Sequence, residues 1–223
     1  MKKYDLCSKI KNTFLFILLV ITGCNYAPVA SNRPTAITTI YYLPDAKNMC
    51  GQYGDSCDRF LASVQMQGSG RIHKDTIVRA AAVNKYEKLH KCSTTIGSGG
   101  ICLIPYISVA ADRKQYNIGD IIFMPAIKGL VMTFKNGKSF KHPGYFLIHD
   151  TGGGINGVGR FDIFTGDMDL NNKYNSFGYK GLKFTKMYSK ETYSVEKKFE
   201  HIRTTSVLYA QAKEAIKQAL VQN

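Results

Sequence analysis

No apolar run in this 223-residue chain is long enough to cross a bilayer: the strongest, residues 14–21, has eight residues, against the roughly 20 that a spanning helix needs. No P-loop is present, because none of the glycine-rich pieces is followed by Gly-Lys-Ser/Thr. The five histidines form no spaced metal set. The cysteines outside the N-terminal region are spaced C-x6-C and C-x9-C, not the C-x2-C of a zinc knuckle. No metal and no cofactor is therefore expected. Nothing marks a nucleophile for a Ser/His/Asp triad, and there is no internal repeat or long low-complexity stretch. Acidic residues are scarce, 16 against 30 basic ones, for a formal charge of +14.

The N-terminus is the clearest positive feature. Lys2, Lys3, Lys9 and Lys11 form a basic leader before the short apolar run, the layout of a signal peptide over residues 1–23. Ile21-Thr22-Gly23-Cys24 resembles the lipobox of bacterial lipoproteins. That resemblance implies that Cys24 becomes the first mature residue, with lipid on sulfur and nitrogen, enough acyl chains for stable anchoring. Asn25 follows in place of the Asp that usually retains such proteins at the inner membrane, so the periplasmic face of the outer membrane is the expected location. Removing residues 1–23 takes away four lysines and Asp5, which lowers the formal charge to +11. A basic exported domain suits an anionic partner such as peptidoglycan or lipid headgroups. Nucleic acid fits the charge but not the export signal, so it is not an expected partner.

Four cysteines remain, Cys50, Cys57, Cys92 and Cys102, an even number that in an oxidising compartment suggests two disulfides. Cys50–Cys57 and Cys92–Cys102 are the local pairing, and either long-range alternative remains allowed. Residues 24–39 read as a polar, proline-bearing tether. Short β-rich runs follow at 60–65, 76–83, 101–109, 120–124, 130–134, 145–148 and 182–188, separated by Gly, Asn and Asp turns. They predict a mainly β domain over 40–190, a compact barrel. In the tail, 191–223, Val195, Phe199 and Ile202, then Ala212, Ile216 and Leu220, fall at helical spacing and predict one or two amphipathic helices.

The chemistry concentrates in residues 150–166, Asp-Thr-Gly-Gly-Gly-Ile-Asn-Gly-Val-Gly-Arg-Phe-Asp-Ile-Phe-Thr-Gly, where Asp150 and Asp162 flank a glycine loop that carries Arg160. This block resembles the signature of the 3D domain, named for three aspartates and found in membrane-bound lytic transglycosylase A and related wall hydrolases. Asp112, after the small-residue strand Ser108-Val109-Ala110-Ala111, stands where the family has its first aspartate. Gln67-Gly68-Ser69-Gly70-Arg71 looks like the family's QGSGR block, and Tyr41-Tyr42-Leu43-Pro44 is a weaker echo of its Tyr-Tyr-x-Pro element. Two features differ. Arg113 follows Asp112 where the family usually has proline, and only residues 72–111 stand where lytic transglycosylase A carries a long, largely helical segment.

The resemblance implies a six-stranded double-psi β-barrel and cleavage between N-acetylmuramic acid and N-acetylglucosamine without water, giving a 1,6-anhydro product. It implies Asp162 as acid and base, with Asp150 and Asp112 raising its proton affinity and orienting the sugar. Gln67, Gly68, Ser69, Gly70, Thr151, Gly152, Gly153 and Arg160 would bind the glycan, the glycines by letting it approach the backbone. From the residues alone, Asp150 also suits an Asx turn, Arg160 an ion pair with an aspartate, and Asp167 and Asp169 a solvated turn. The competing expectation is a non-catalytic envelope lipoprotein that holds peptidoglycan or docks with envelope proteins in a larger assembly.

Overall fold

A computed structural model describes residues 34–54, 57–89, 91–167, 175–177 and 197–221. The expected signal peptide, Cys24, most of the tether, the strand at 182–188, Asp169 and Val195 lie outside them. Among the described residues no helix is long and apolar enough to cross a membrane. The protein is mainly β with few helices.

The chain opens with β1 (Thr35–Tyr41), in which Ala36, Thr38 and Ile40 are buried while Thr35 and Ile37 face out, the alternation of a half-buried strand. The tether read over 24–39 therefore gives way to a sheet strand at Thr35; threonine and isoleucine are good strand formers even in a polar, proline-bearing context. Two helices follow, α1 (Ala46–Cys50) and α2 (Asp58–Gln67). The strand expected at 60–65 is thus a helix. Phe60 and Val64, four apart, share its buried stripe, and Gly68 at φ 82 stops it in the left-handed conformation that glycine tolerates. A hairpin sheet comes next, β2 (Ser69–His73), β3 (Thr76–Ala82) and β4 (Lys85–Leu89), with β3 in the middle.

Then come β5 (Ser108–Ala111), β6 (Ile121–Phe123), a short 3-10 turn, and the hairpin β7 (Val131–Thr133) with β8 (Ser139–Lys141). The run at 101–109 is a strand only from Ser108, because Leu103 to Ile107 turn into two separate cores and Tyr106 takes φ 64. Strands β9 (Tyr145–Thr151), β10 (Arg160–Phe164), β11 (Lys197–Lys198) and β12 (Glu200–Ile202) follow, and α3 (Tyr209–Val221) ends the description. The described tail thus begins with two short strands before its helix. Phe199, between those strands, and Ile202, at the end of the second, enter the main core, and only Ala212 and Ile216 follow the helical pattern into burial. Both disulfides take the local pairing, Cys50–Cys57 and Cys92–Cys102.

Seven strands make one sheet in the order β11-β1-β10-β5-β9-β6-β12. Two pairs are parallel, β1 with β10 and β5 with β9; the others are antiparallel. The strands at its two ends, β11 and β12, are separated in the chain by Phe199 alone. One face holds the main core, with Ile40, Val109, Phe146, Ile148, Phe161 and Ile163. The other carries a smaller cluster that includes Tyr41, Leu103, Ala110, Ile155 and Phe164. Above that second cluster lies the site.

Candidate active site

Register decides which side chains meet. Asp162 on β10 pairs with Thr39 on β1 and with Ala110 on β5, and Ala110 pairs with Asp150 on β9. Thr39, Asp162, Ala110 and Asp150 thus form one row across four adjacent strands. All four line a cleft of about 730 Å³. The neighbours Phe161 and Ile163 point into the main core, so period-two alternation turns Asp162 to the cleft.

Asp150 reaches the same face through a bulge. Val109 pairs with Ile148 but Ala110 pairs with Asp150, so His149 is an extra residue in β9. A bulge of this kind re-aims the side chains beyond it. His149 itself is buried, its Nδ1 2.9 Å from Ser108 Oγ, and burial lowers its pKa to about 4.

The two acids have different surroundings. Among the described residues Asp162 accepts one hydrogen bond, from Thr39 Oγ1 at 2.6 Å. Burial raises its proton affinity above the ordinary carboxylate value; the Thr39 bond and the charge of Arg160 oppose this, and the charge of Asp150 adds to it. Asp150 is held by several donors. Its Oδ1 accepts from Ser98 N at 2.9 Å, Ser98 Oγ at 2.7 Å and Thr151 N at 2.9 Å, and its Oδ2 from Tyr41 Oη at 3.2 Å. Burial and then the charges of both aspartates hold the Tyr41 phenol well above its usual range.

Asp112 is placed differently. It does not line the cleft. Its carboxylate accepts from Gly157 N at 2.7 Å and Lys114 N at 2.9 Å, which lowers its proton affinity, so it braces the glycine loop that follows Asp150.

Thr151, Gly152, Gly153, Gly154 and Arg160 line the cleft, with Gln67, Gly68 and Ser69 on the opposite wall. Gly70 lies outside it and packs under α2, where an added Cβ would come within 2.5 Å of Val64. Gln67 is also tied down, its Oε1 accepting from Tyr42 N at 3.2 Å. The Arg160 side chain makes no hydrogen bond or close ion pair with another described residue, and its charge acts on Asp162. The solvated-turn reading of Asp167 is corrected: it accepts from Arg71 Nη2 at 3.3 Å, and Arg71 also approaches buried Asp45. No cluster of three His, Cys, Asp or Glu suited to a metal occurs among the described residues.

Residues 107–180 match the sequence profile of the 3D domain. This stretch of the chain is similar to the 3D domain. Its Asp112, Asp150 and Asp162 all fall inside the matched stretch. Among solved structures, the chain is similar to Escherichia coli MltA with bound chitohexaose at 14% identity, covering 60% of this chain and 65% of that one, with a TM-score of 0.40. Another structure of MltA from E. coli matches at 14% identity over 74% of this chain and 69% of that one, with a TM-score of 0.37. The membrane-bound lytic murein transglycosylase of Agrobacterium tumefaciens matches at 20% identity over 58% of this chain and 29% of that one, with a TM-score of 0.27. The chain thus spans less than two thirds of the chitohexaose-bound protein. No curated protein matches it.

Thr39 and Ser98 are site residues that sequence reasoning passed over. Nothing local marks Thr39, which sits in the polar stretch read as a tether. Ser98 lies in Gly97-Ser98-Gly99-Gly100, a run whose default reading is a turn.

Proposed function

We propose that this protein is a peptidoglycan lytic transglycosylase in which Asp162 is both acid and base. The observation that carries the reading is the row Thr39, Asp162, Ala110, Asp150 on the floor of one cleft, within a chain whose residues 107–180 match the 3D domain profile. A general acid must hold its proton near neutral pH, and burial pushes Asp162 in that direction. Asp162 donates that proton to the leaving O4 of N-acetylglucosamine as the glycosidic bond breaks. The muramyl C6 hydroxyl then attacks C1, its proton passes to the Asp162 carboxylate, and the ring closes as the 1,6-anhydro product. Every proton is carried by one carboxyl, so no base is needed to position water, unlike in an inverting hydrolase.

Asp150, fixed by its donors, stabilises the oxocarbenium charge across the row. Asp112 acts through the backbone, holding the 152–157 loop against which the glycan lies. Arg160 takes a substrate carboxylate, from the lactyl group or stem peptide. The sheet closes into a six-stranded double-psi barrel, residues 197–202 serving as one strand that hydrogen-bonds at both ends; the pairings of β11 with β1 and β12 with β6 support this. Lipid on Cys24 tethers the domain to the outer membrane, facing the wall.

The test is digestion of purified sacculi by the full chain in detergent, beside Asp162→Asn, with products resolved by mass spectrometry. The expected result is 1,6-anhydromuropeptides from the parent and none from the variant. Sacculi that pellet with both proteins yet release nothing would replace the enzyme with a wall-binding lipoprotein.

A further inference from the structure

The hairpin from Thr94 to Leu103 is built as a device rather than a free loop. Its base is joined by Cys92–Cys102, ten residues apart. Its limbs are tied by Leu103 N to Thr95 O at 2.9 Å, Gly97 N to Ile101 O at 2.9 Å and Thr94 Oγ1 to Leu103 O at 2.6 Å. Thr95 and Leu103 are buried, Leu103 in the cluster beneath the cleft. At the tip, Gly97 lies so close to β9 that an added Cβ would fall 2.2 Å from the His149 carbonyl oxygen. That contact delivers Ser98 to Asp150.

Ser98 commits its amide and its hydroxyl there. Its N–H and O–H both donate to Asp150 Oδ1, while its oxygen accepts from Thr151 N at 3.2 Å and lies 2.8 Å from Thr151 Oγ1. Two of the donors on Asp150 thus come from one exposed residue, 52 positions away in the chain. No strand pairing holds that residue in place. A short polar side chain on an otherwise glycine-flanked tip has no packing role to explain it.

We propose that Ser98 is a positioning residue for Asp150, and that the Cys92–Cys102 bridge, by closing the hairpin, sets the placement of Ser98 and so the competence of the site. The proposal rests on the transglycosylase reading for its activity readout, but the placement of Asp150 is measurable without turnover. The bridge would form only in an oxidising compartment, so the site would become competent after export.

The experiment compares the full chain in detergent with Ser98→Ala, Ser98→Thr and the double variant Cys92→Ser/Cys102→Ser. Turnover is followed on soluble glycan strands, and the position of the Asp150 carboxylate is read from crystal structures of parent and variants. Ser98→Ala is expected to lower kcat about tenfold with KM held within about twofold, as the loss of one hydrogen bond to a charged group implies. Ser98→Thr keeps the hydroxyl and is expected to restore kcat to within about twofold. The double variant is expected to lose about 100-fold, since amide and hydroxyl bonds both depart. Parental kcat in Ser98→Ala, or equal impairment in Ala and Thr, would overturn the proposal. Should the parent itself release no anhydro product, the functional reading fails separately and the crystal structures decide. An Asp150 carboxylate displaced in Ser98→Ala and returned in Ser98→Thr upholds the positioning role; one that does not move removes it.

Discussion

Gly97→Ala is the sharpest perturbation the fold offers, because it adds one methyl group at a measured point. The backbone of Gly97 is outside the left-handed region, so alanine is refused by space alone. The new Cβ would stand 2.2 Å from His149 O and 2.7 Å from Leu103 Cδ2. To regain van der Waals separation the tip must retreat by roughly 1 Å. The Ser98 bonds to Asp150, now 2.9 and 2.7 Å, would then pass beyond hydrogen-bonding distance. Overpacking of this kind costs about 1–3 kcal/mol. At roughly 2–4 °C per kcal/mol for a chain this long, Tm falls by about 2–12 °C. A displacement of that size beside the chemistry lowers kcat by about 10–100-fold. Differential scanning calorimetry and the anhydromuropeptide assay measure the two effects. Gly153→Ala is the control, since nothing lies within 4 Å of its added Cβ, and its Tm is expected to stay within about 1 °C. A Gly97→Ala protein with parental Tm and parental kcat would refute the account of how the hairpin seats on β9.

Thr39→Val keeps the shape and deletes the 2.6 Å bond to Asp162. The carboxylate form loses a donor, so the alkaline limb of the pH–activity profile moves to higher pH and stability at neutral pH drops by about 1–3 kcal/mol; a limb that stays in place would sink this. Asp162→Asn gives the complementary result. The folded-state pKa of Asp162 is raised, so its contribution is present at low pH and lost as pH rises through that value. The variant should therefore melt a few degrees higher at neutral pH and lose that advantage below the carboxylate range. His142 is buried with Nδ1 accepting from Gly144 N and Nε2 facing Tyr106 O, so the ring is neutral, and burial lowers its pKa from 6.5 to about 4. A depressed histidine loses stability as pH falls, so unfolding free energy should decline by roughly 3 kcal/mol from this group between pH 6.5 and 4. Urea melts of the parent and His142→Gln across that window check it: the variant's pH dependence should be the flatter.

Much of this site was legible before the fold. The block from Asp150 to Gly166 announced itself because two carboxylates and a glycine loop lie in one short stretch, and the cleft does contain both acids. Strands at 76–83, 120–124, 130–134 and 145–148 were readable because β-branched and aromatic residues there alternate with turn residues. The failures have distinct causes. Phe60 to Gln65 holds two strand formers, Phe60 and Val64, but they are spaced for a helix face among the good helix formers Leu61, Ala62 and Gln65, and Gly70 opposite gives α2 somewhere to pack. Phe199 and Ile202 fit a helical spacing as well as a strand's ends, and three residues cannot separate the two periods. Asp112 lay in the right motif, yet motif position carries no information about which way a carboxylate turns. Its two backbone donors exist only once residues 112–114 and 157 are folded together.

The hardest residues to foresee were those of β1, and they explain the most about the site. Thr39 and Tyr41 are two apart, so the pleat sends both to the same face. Thr39 reaches Asp162 directly, because the two are register partners. Tyr41 reaches Asp150, two strands beyond β10, across Ala110, a small residue of the same buried cluster as the ring. One strand thus holds both acids, and the bulge at His149 is what brings the second of them to the face that strand can reach. Without the extra residue, Asp150 would turn toward the core and the Tyr41 phenol would have no acceptor there. The acid pair is therefore a property of the register between four strands, which the spacing of aspartates along the chain does not encode.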